Sequence, residues 1–219
     1  MREQSTRVGD LMKQKVTSMR IRERVTALTV AAVTVLTVAV ATVLPLASTQ
    51  LAGVASADDI YGEFTVGGRI EEAYKATGGP DQWGNPLIPE SPAFQGGRFQ
   101  TFEKNVSFYW KANVAGGTAH YVGGAIRGKW ASLRYERGVL GWPLTNEIDV
   151  PGRGKRQNFQ GGNVYYSSAG GTRTVWGGIL ARWTAKGGST GFFGFPVSNE
   201  YRNGRGWAQD FNGGTLFFP

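Results

Sequence analysis

Apolar residues return along this chain with two different periods. Ile70 and Tyr74, Ile126 and Trp130, and Ile179 and Trp183 are pairs four positions apart, a spacing that stacks both side chains on one helix face. Each pair predicts a helix of about ten residues. Ahead of each lies a short strand-like piece running into adjacent glycines, in GEFTVGG, AHYVGG and TRTVWGG. Paired glycines at a strand-to-helix passage signal a positive φ or a close backbone approach. Turn formers close the helices: Thr77-Gly78-Gly79-Pro80, Gly138 and Gly187-Gly188. The second period is two. RFQTFEKNVSFYW, NFQGGNVYYSS and DFNGGTLFFP alternate as half-buried strands do. Gly161-Gly162 and Gly213-Gly214 are the expected hairpin turns, and the longer Thr101-Phe102-Glu103-Lys104 replaces them in the first run.

Between each helix and its strands stands a signature: WGNPLIPE (Trp83 to Glu90), LGWPLTNE (Leu140 to Glu147) and FGFPVSNE (Phe193 to Glu200). The shared positions are Gly84, Gly141 and Gly194; Pro86, Pro143 and Pro196; and Glu90, Glu147 and Glu200. The glycines lie about 55 residues apart, the size of a supersecondary repeat. Proline lacks an N–H and forces its predecessor into extended geometry, so the signature is a tight turn with its bulky residues tucked inward. The closing glutamates are expected to accept backbone N–H groups in that turn, with contact to a ligand hydroxyl as the alternative. The first copy departs at its centre, with Trp83 and Asn85 where the others carry Leu140/Trp142 and Phe193/Phe195. Ala115-Gly116-Gly117-Thr118 and Ala169-Gly170-Gly171-Thr172 lead into the next opening strand, so each repeat hands a strand to its neighbour. The expected fold class is α+β: three short-helix-plus-hairpin units, about residues 61–117, 118–171 and 172–219, around one core. Docking Glu63–Val66 beside Leu216–Pro219 would close them as a pseudo-three-fold ring. A β-trefoil or propeller is the competing architecture if the helices are absent.

These sub-motifs, three times and in the same order, resemble the LGFP-type repeats of secreted proteins from mycolate-bearing actinobacteria, sometimes attached to mycoloyltransferases or wall amidases. The resemblance covers Tyr61 to Pro219. It implies a wall-attachment module whose partner is cell-wall polysaccharide, arabinogalactan or peptidoglycan.

Charge changes the picture at the N-terminus. The chain has 24 basic and 16 acidic residues, which would suggest an acidic partner if spread evenly. From Asp58 onward, however, the excess is only about four, ordinary for solubility and without the clustered stripe that nucleic acid requires. The remaining excess belongs to residues 1–57. Arg20, Arg22 and Arg24 precede an uncharged stretch from Val25 to Ala47, and Ala55-Ser56-Ala57 follows as an A-x-A cleavage pattern. The stretch is also long enough to span a bilayer. Cleavage before Asp58 is expected, with an uncleaved membrane segment as the alternative, and Met19 is a second candidate start. The protein is thus expected to be exported, to the envelope or beyond. The chain has no cysteine, so no disulfide framework is available. Its 27 aromatic residues all lie after residue 57 and supply the burial instead.

Candidate chemistry is sparse. Gly187-Gly188-Ser189-Thr190-Gly191 fits G-x-S-x-G, but the nucleophile elbow joins a strand to a helix and this segment follows a helix. His120, the sole histidine, sits in a strand-like run and reads as a structural strand residue. The repeated glutamates are related by quasi-symmetry, which suits structure or multivalent binding better than an asymmetric catalytic pair. No catalytic residue, metal site or cofactor is expected. Aromatic side chains offer apolar faces with polar edges that suit sugar rings. The candidates are Trp110, Tyr135, Trp142 and Trp207, with Glu147 and Glu200 as hydroxyl acceptors. A protein-binding module, or a relative of wall hydrolases or acyltransferases, is the alternative function.

Overall fold

The computed structural model describes residues 58–219; the expected export segment, residues 1–57, lies outside them. Strands and helices alternate in small groups. β1 (Asp59–Tyr61) and β2 (Phe64–Val66) form a hairpin. The next sheet runs β3 (Ser91–Pro92), β4 (Arg98–Phe102), β5 (Val106–Trp110), β6 (His120–Gly123), each antiparallel to its neighbour. A second four-stranded sheet follows, β7 (Ile148–Val150), β8 (Gly154–Phe159), β9 (Gly162–Ser167) and β10 (Gly171–Trp176). The last has three strands, β11 (Tyr201–Asn203), β12 (Gly206–Phe211) and β13 (Gly214–Phe218). The fold is mixed helix and sheet, with several small antiparallel sheets and none of them closed.

Three helices fall where the four-residue spacing predicts them: α1 (Gly68–Ala76), α3 (Gly124–Ser132) and α4 (Gly177–Thr184). Each springs directly from the strand that closes the preceding sheet, so that strand belongs to one unit's sheet and opens the next unit. The passage requires a left-handed first residue, and Gly68, Gly124 and Gly177 supply it at φ +54°, +49° and +53°. A β-carbon there would cost roughly 1–2 kcal/mol. One short helix is unexpected: α2 (Gly79–Trp83), built on the GGPDQW segment with Pro80 in its first turn, where proline's missing N–H does no harm.

The signature turns repeat closely. Their glycines have φ +71°, +63° and +64°, and isolated bridges join Pro86 to Phe102, Pro143 to Phe159 and Pro196 to Phe211. Each turn therefore lies against the end of its own hairpin. The hairpin loops are Gln160-Gly161 and Asn212-Gly213, one residue earlier than expected, whereas Thr101 and Phe102 are strand residues and the first loop is Glu103-Lys104-Asn105. The closing glutamates do not cap the turn. The residue after each hairpin phenylalanine does: Glu103 Oε2 accepts Asn85 N–H at 3.0 Å, Gln160 Oε1 accepts Trp142 N–H at 3.1 Å and Asn212 Oδ1 accepts Phe195 N–H at 3.0 Å. The glutamates have already left the turn. Glu90 meets Arg98 Nε at 2.6 Å, Glu147 meets Lys155 Nζ at 3.1 Å, and Glu200 accepts the Trp176 indole N–H at 3.1 Å.

Burial is aromatic and comes in three clusters with a common plan. The last residue of each helix pair is the hub. A tyrosine from the strand paired with the one that leads into the helix meets it edge-on: Tyr61 on Tyr74 at 5.1 Å, Tyr109 on Trp130 at 4.7 Å and Tyr165 on Trp183 at 4.9 Å. On the other side lies the hairpin phenylalanine, with Phe102 at 4.7 Å, Phe159 at 5.3 Å and Phe211 at 5.1 Å. Contacts of this kind add about 0.5–1.5 kcal/mol beyond area burial. The hub also reaches the signature: Tyr74 Oη donates to Gly84 O at 2.8 Å and Trp130 Nε1 to Gly141 O at 3.1 Å.

A buried glutamine completes each unit. Gln100, Gln157 and Gln209 are fully buried. Each Nε2 donates to two carbonyls, one on the opening strand and one in the signature: Thr65 O and Ile88 O, Tyr121 O and Thr145 O, Thr174 O and Ser198 O, all at 2.7–3.0 Å. Two acceptors facing one atom fix the amide orientation, since only the NH₂ side can satisfy both. This clamp ties strand, turn and hairpin together.

The expected ring closure is not formed by strand pairing. Among the described residues β2 pairs with β1, and β13 pairs with β12 alone. The reason is β1 itself, which the sequence reading did not resolve as a strand. It takes the place beside β2 that closure reserved for the chain's end, and Tyr61 fills the same position as Tyr109 and Tyr165. Lys75 holds it there, bridging Asp59 at 2.6 Å and the buried Glu71 at 2.7 Å. With helices present, the condition that favoured a trefoil or propeller does not arise.

Candidate functional site

The predicted aromatics part into two groups. Trp142 is buried, stacked edge-on against Tyr109 at 6.3 Å with Lys111 Nζ 5.6 Å above its ring. As the x of Gly-x-Pro it tucks inward and is covered, so, contrary to expectation, it offers no face to a ligand. Tyr135 is half-buried against Trp130 at 5.4 Å, again packing for its own unit. Trp110 and Trp207 each sit at the outer end of a sheet, Trp110 half-buried with one side packed against the first cluster and Trp207 exposed.

Register explains their position. Directly opposed residues of an antiparallel pair share one face. Two positions before each buried glutamine stand Arg98, Lys155 and Trp207, and opposite them stand Trp110, Tyr166 and Phe218. Tyr166, Trp207 and Phe218 are exposed and Trp110 is half-buried, its indole donating to Gly117 O at 2.9 Å. Every pair has charge beside it. Glu90 holds Arg98, Glu147 holds Lys155, Arg202 lies 4.5 Å over Trp207 and Arg182 lies 5.2 Å over Phe218. Arginine over an aromatic face contributes about 0.5–1 kcal/mol at exposed sites. Glu147 also keeps the Lys155 ammonium charged, raising its pKa through a hydrogen bond and direct attraction. Sequence reasoning missed Tyr166 and Phe218; register from the glutamine would have found both. Glu200 lies apart from this pattern, bound to Trp176.

The residues weighed for catalysis are not assembled. Ser189 lies in a single 3-10 turn, Gly188–Thr190, between α4 and the third signature, which is no nucleophile elbow. His120 Nδ1 meets Asn146 Oδ1 at 3.2 Å, and since that oxygen only accepts, Nδ1 carries the proton. Among the described residues no group of three or more His, Cys, Asp or Glu could hold a metal, and no helix is long and apolar enough to cross a membrane.

Burial lowers the His120 pKa from its ordinary 6.5, partly offset by Asn146. A histidine whose folded pKa lies below its unfolded one favours the native state while neutral, so stability is full above the unfolded value and falls as pH drops through it. Wild-type protein should therefore lose urea resistance as pH falls below about 6.5, and His120→Gln should flatten that slope. Equal slopes in the two proteins would show that His120 is not the group responsible.

The recurrent hubs, clamps and bridged turns define a repeat protein, one whose units share strands. The family profile described as LGFP repeat matches residues 84–138 and 140–191. The chain is an LGFP-repeat protein. Both matches begin at a signature, and the third signature lies beyond them. No curated protein matches the chain.

Proposed function

We propose that this chain is a non-catalytic, exported module that binds cell-wall polysaccharide through equivalent aromatic faces, one on each of its three larger sheets. We count Phe193 to Pro219 as part of a third repeat, supported by its Pro196–Phe211 bridge, its Trp183–Phe211 contact and its Gln209 clamp. The observation that carries the function is the recurrence of Arg98/Trp110, Lys155/Tyr166 and Trp207/Phe218 at one register position. An aromatic plane flanked by fixed hydrogen-bonding charges suits a sugar ring, whose faces are apolar and whose rim is hydroxyl. Quasi-equivalent faces suit a polymer that repeats the same sugar. The family resemblance supplies the wall as the source of that polymer.

Co-sedimentation of the full chain with protein-free cell wall tests this. Binding is expected to persist at several hundred millimolar salt, because stacking and short hydrogen bonds are screened far less than long-range charge attraction. Replacing Trp110, Tyr166 and Trp207 together by alanine should weaken it at least tenfold, with no soluble sugar released by either protein. Retention of full binding by the triple variant would refute the proposed faces. One observation favours a protein partner instead: Phe217 occupies the register position of the buried Tyr109 and Tyr165 yet is 42% exposed beside the free edge of β13. Failure to bind protein-free wall, with binding to untreated wall retained, would favour that second function.

A further inference from the structure

The second and third repeats each leave a groove where their helix leans on the preceding sheet, and the two grooves differ in a telling way. At the first junction, Phe99 stacks on Tyr109 at 5.6 Å and Tyr135 covers Trp130 at 5.4 Å, leaving about 310 Å³. At the second, the positions of those two plugs are held by Arg156 and Gly188. Arg156 directly precedes the buried Gln157 as Phe99 precedes Gln100, and Gly188 opens the 3-10 turn after the helix as Tyr135 does. Loss of both rings leaves about 570 Å³, floored by Tyr165 and Trp183, within the usual range for a small-ligand site.

The lining is that of a site for a neutral, hydroxyl-bearing ligand. Where the first sheet carries Thr101 and Ser107, hydrogen-bonded to each other at 2.8 Å, this one carries Asn158 and Asn163. Asn158 Oδ1 accepts from Arg156 at 2.7 Å, and Asn163 Nδ2 donates to Tyr165 Oη at 3.3 Å. One amide is thereby left with its donor and the other with its acceptor. Ser189, from the segment that fits G-x-S-x-G, brings a hydroxyl to the opposite wall. On the rim, Asp149 and Arg156 cancel in charge. Beneath lies the Trp183 indole, whose N–H, like that of Trp142, is buried without a partner among the described residues, whereas the same atom of Trp130 reaches Gly141 O.

We propose that this groove is a saccharide subsite, seating one or two uncharged sugar residues on Tyr165 and Trp183, with Asn158, Asn163 and Ser189 reading hydroxyls. It rests on the polysaccharide reading for the origin of the sugar, but it is a different surface from the sheet-end faces. The unit that lost its aromatic plugs specifies; the exposed faces add avidity.

The test titrates the purified full chain with neutral disaccharides built from arabinose, galactose or N-acetylglucosamine, following indole N–H resonances by NMR. At least one is expected to shift Trp183 saturably while Trp130 stays put. Gly188→Tyr restores the plug of the first junction; the backbone there has φ +56°, close to the +53° that Tyr135 itself adopts, and an added β-carbon meets nothing within 4 Å. It should weaken binding at least tenfold. Asn163→Ser, the residue at the equivalent position of the first sheet, is the second variant and should weaken it several-fold should Gly188→Tyr fail to fold. A Trp183 resonance that no disaccharide moves, or binding unchanged in both folded variants, overturns the subsite. Wall binding lost without loss of disaccharide binding would sink the function proposed above and leave the groove standing. Wall binding retained with no disaccharide response would do the reverse.

Discussion

Trp130→Ala is expected to destabilise the protein by about 4 kcal/mol, within the span for large aromatic truncations in a core. Trp130 is fully buried and is the hub of its unit, touching Tyr109, Tyr135 and Phe159. Removing it opens a cavity between two sheets that cannot collapse, because the signature turn is fixed to the hairpin by the Pro143–Phe159 bridge. It also orphans Gly141 O, which accepts the indole N–H. Trp130→Phe should cost less, about 2 kcal/mol, since it keeps most ring contacts and loses that bond. Urea denaturation at pH 7 reads both. A loss below about 1.5 kcal/mol for the alanine variant would mean that the hub is dispensable.

Gln157→Glu should be nearly as damaging at neutral pH, by a different mechanism. Gln157 Nε2 donates to Tyr121 O and Thr145 O, each at 2.7 Å. A carboxylate has no donor, so two carbonyl oxygens would face a buried negative charge; the expected cost is about 3 kcal/mol or more. The pH dependence identifies the cause. Burial among acceptors would raise the folded pKa of the new carboxyl above its unfolded value. The native state then binds the proton more tightly, so the deficit should shrink as pH falls through the folded pKa and level off below the unfolded one. A deficit that stays constant from pH 7 to 4 would show that lost shape, not lost donors, explains the damage.

Much of this fold was legible because its cause is local. The Ile–Tyr/Trp spacing gave α1, α3 and α4, and the glycine pairs marked the strand-to-helix passages. The Gly-x-Pro turns were legible for the same reason. What escaped depends on register. Gln100, Gln157 and Gln209 sit in strands that look half-polar, and only the pairing reveals that their amides point inward to join three segments. The same pairing brings Tyr166 and Phe218 out beside Lys155 and Trp207, whereas Trp142 is carried into the core by the signature turn. The glutamates were misassigned because proximity in sequence to the turn suggested capping, whereas Glu103, Gln160 and Asn212 reach it across the hairpin. β1 was missed because DIY is short and its partner strand was assigned elsewhere. The groove above Tyr165 is visible only on comparing Arg156 and Gly188 with Phe99 and Tyr135, a comparison that needs the junction geometry.

The central functional claim is that several equivalent faces act together on one polymer. Its most direct measurement is the apparent affinity of the full chain for size-fractionated, protein-free wall polysaccharide as fragment length grows. Linked weak contacts should raise affinity by about 10²–10⁴ once a fragment can bridge two faces, with a plateau beyond that length. Trp110→Ala with Tyr166→Ala should abolish most of the rise while leaving the short-fragment affinity nearly unchanged. An affinity independent of fragment length in the wild-type protein would contradict the account.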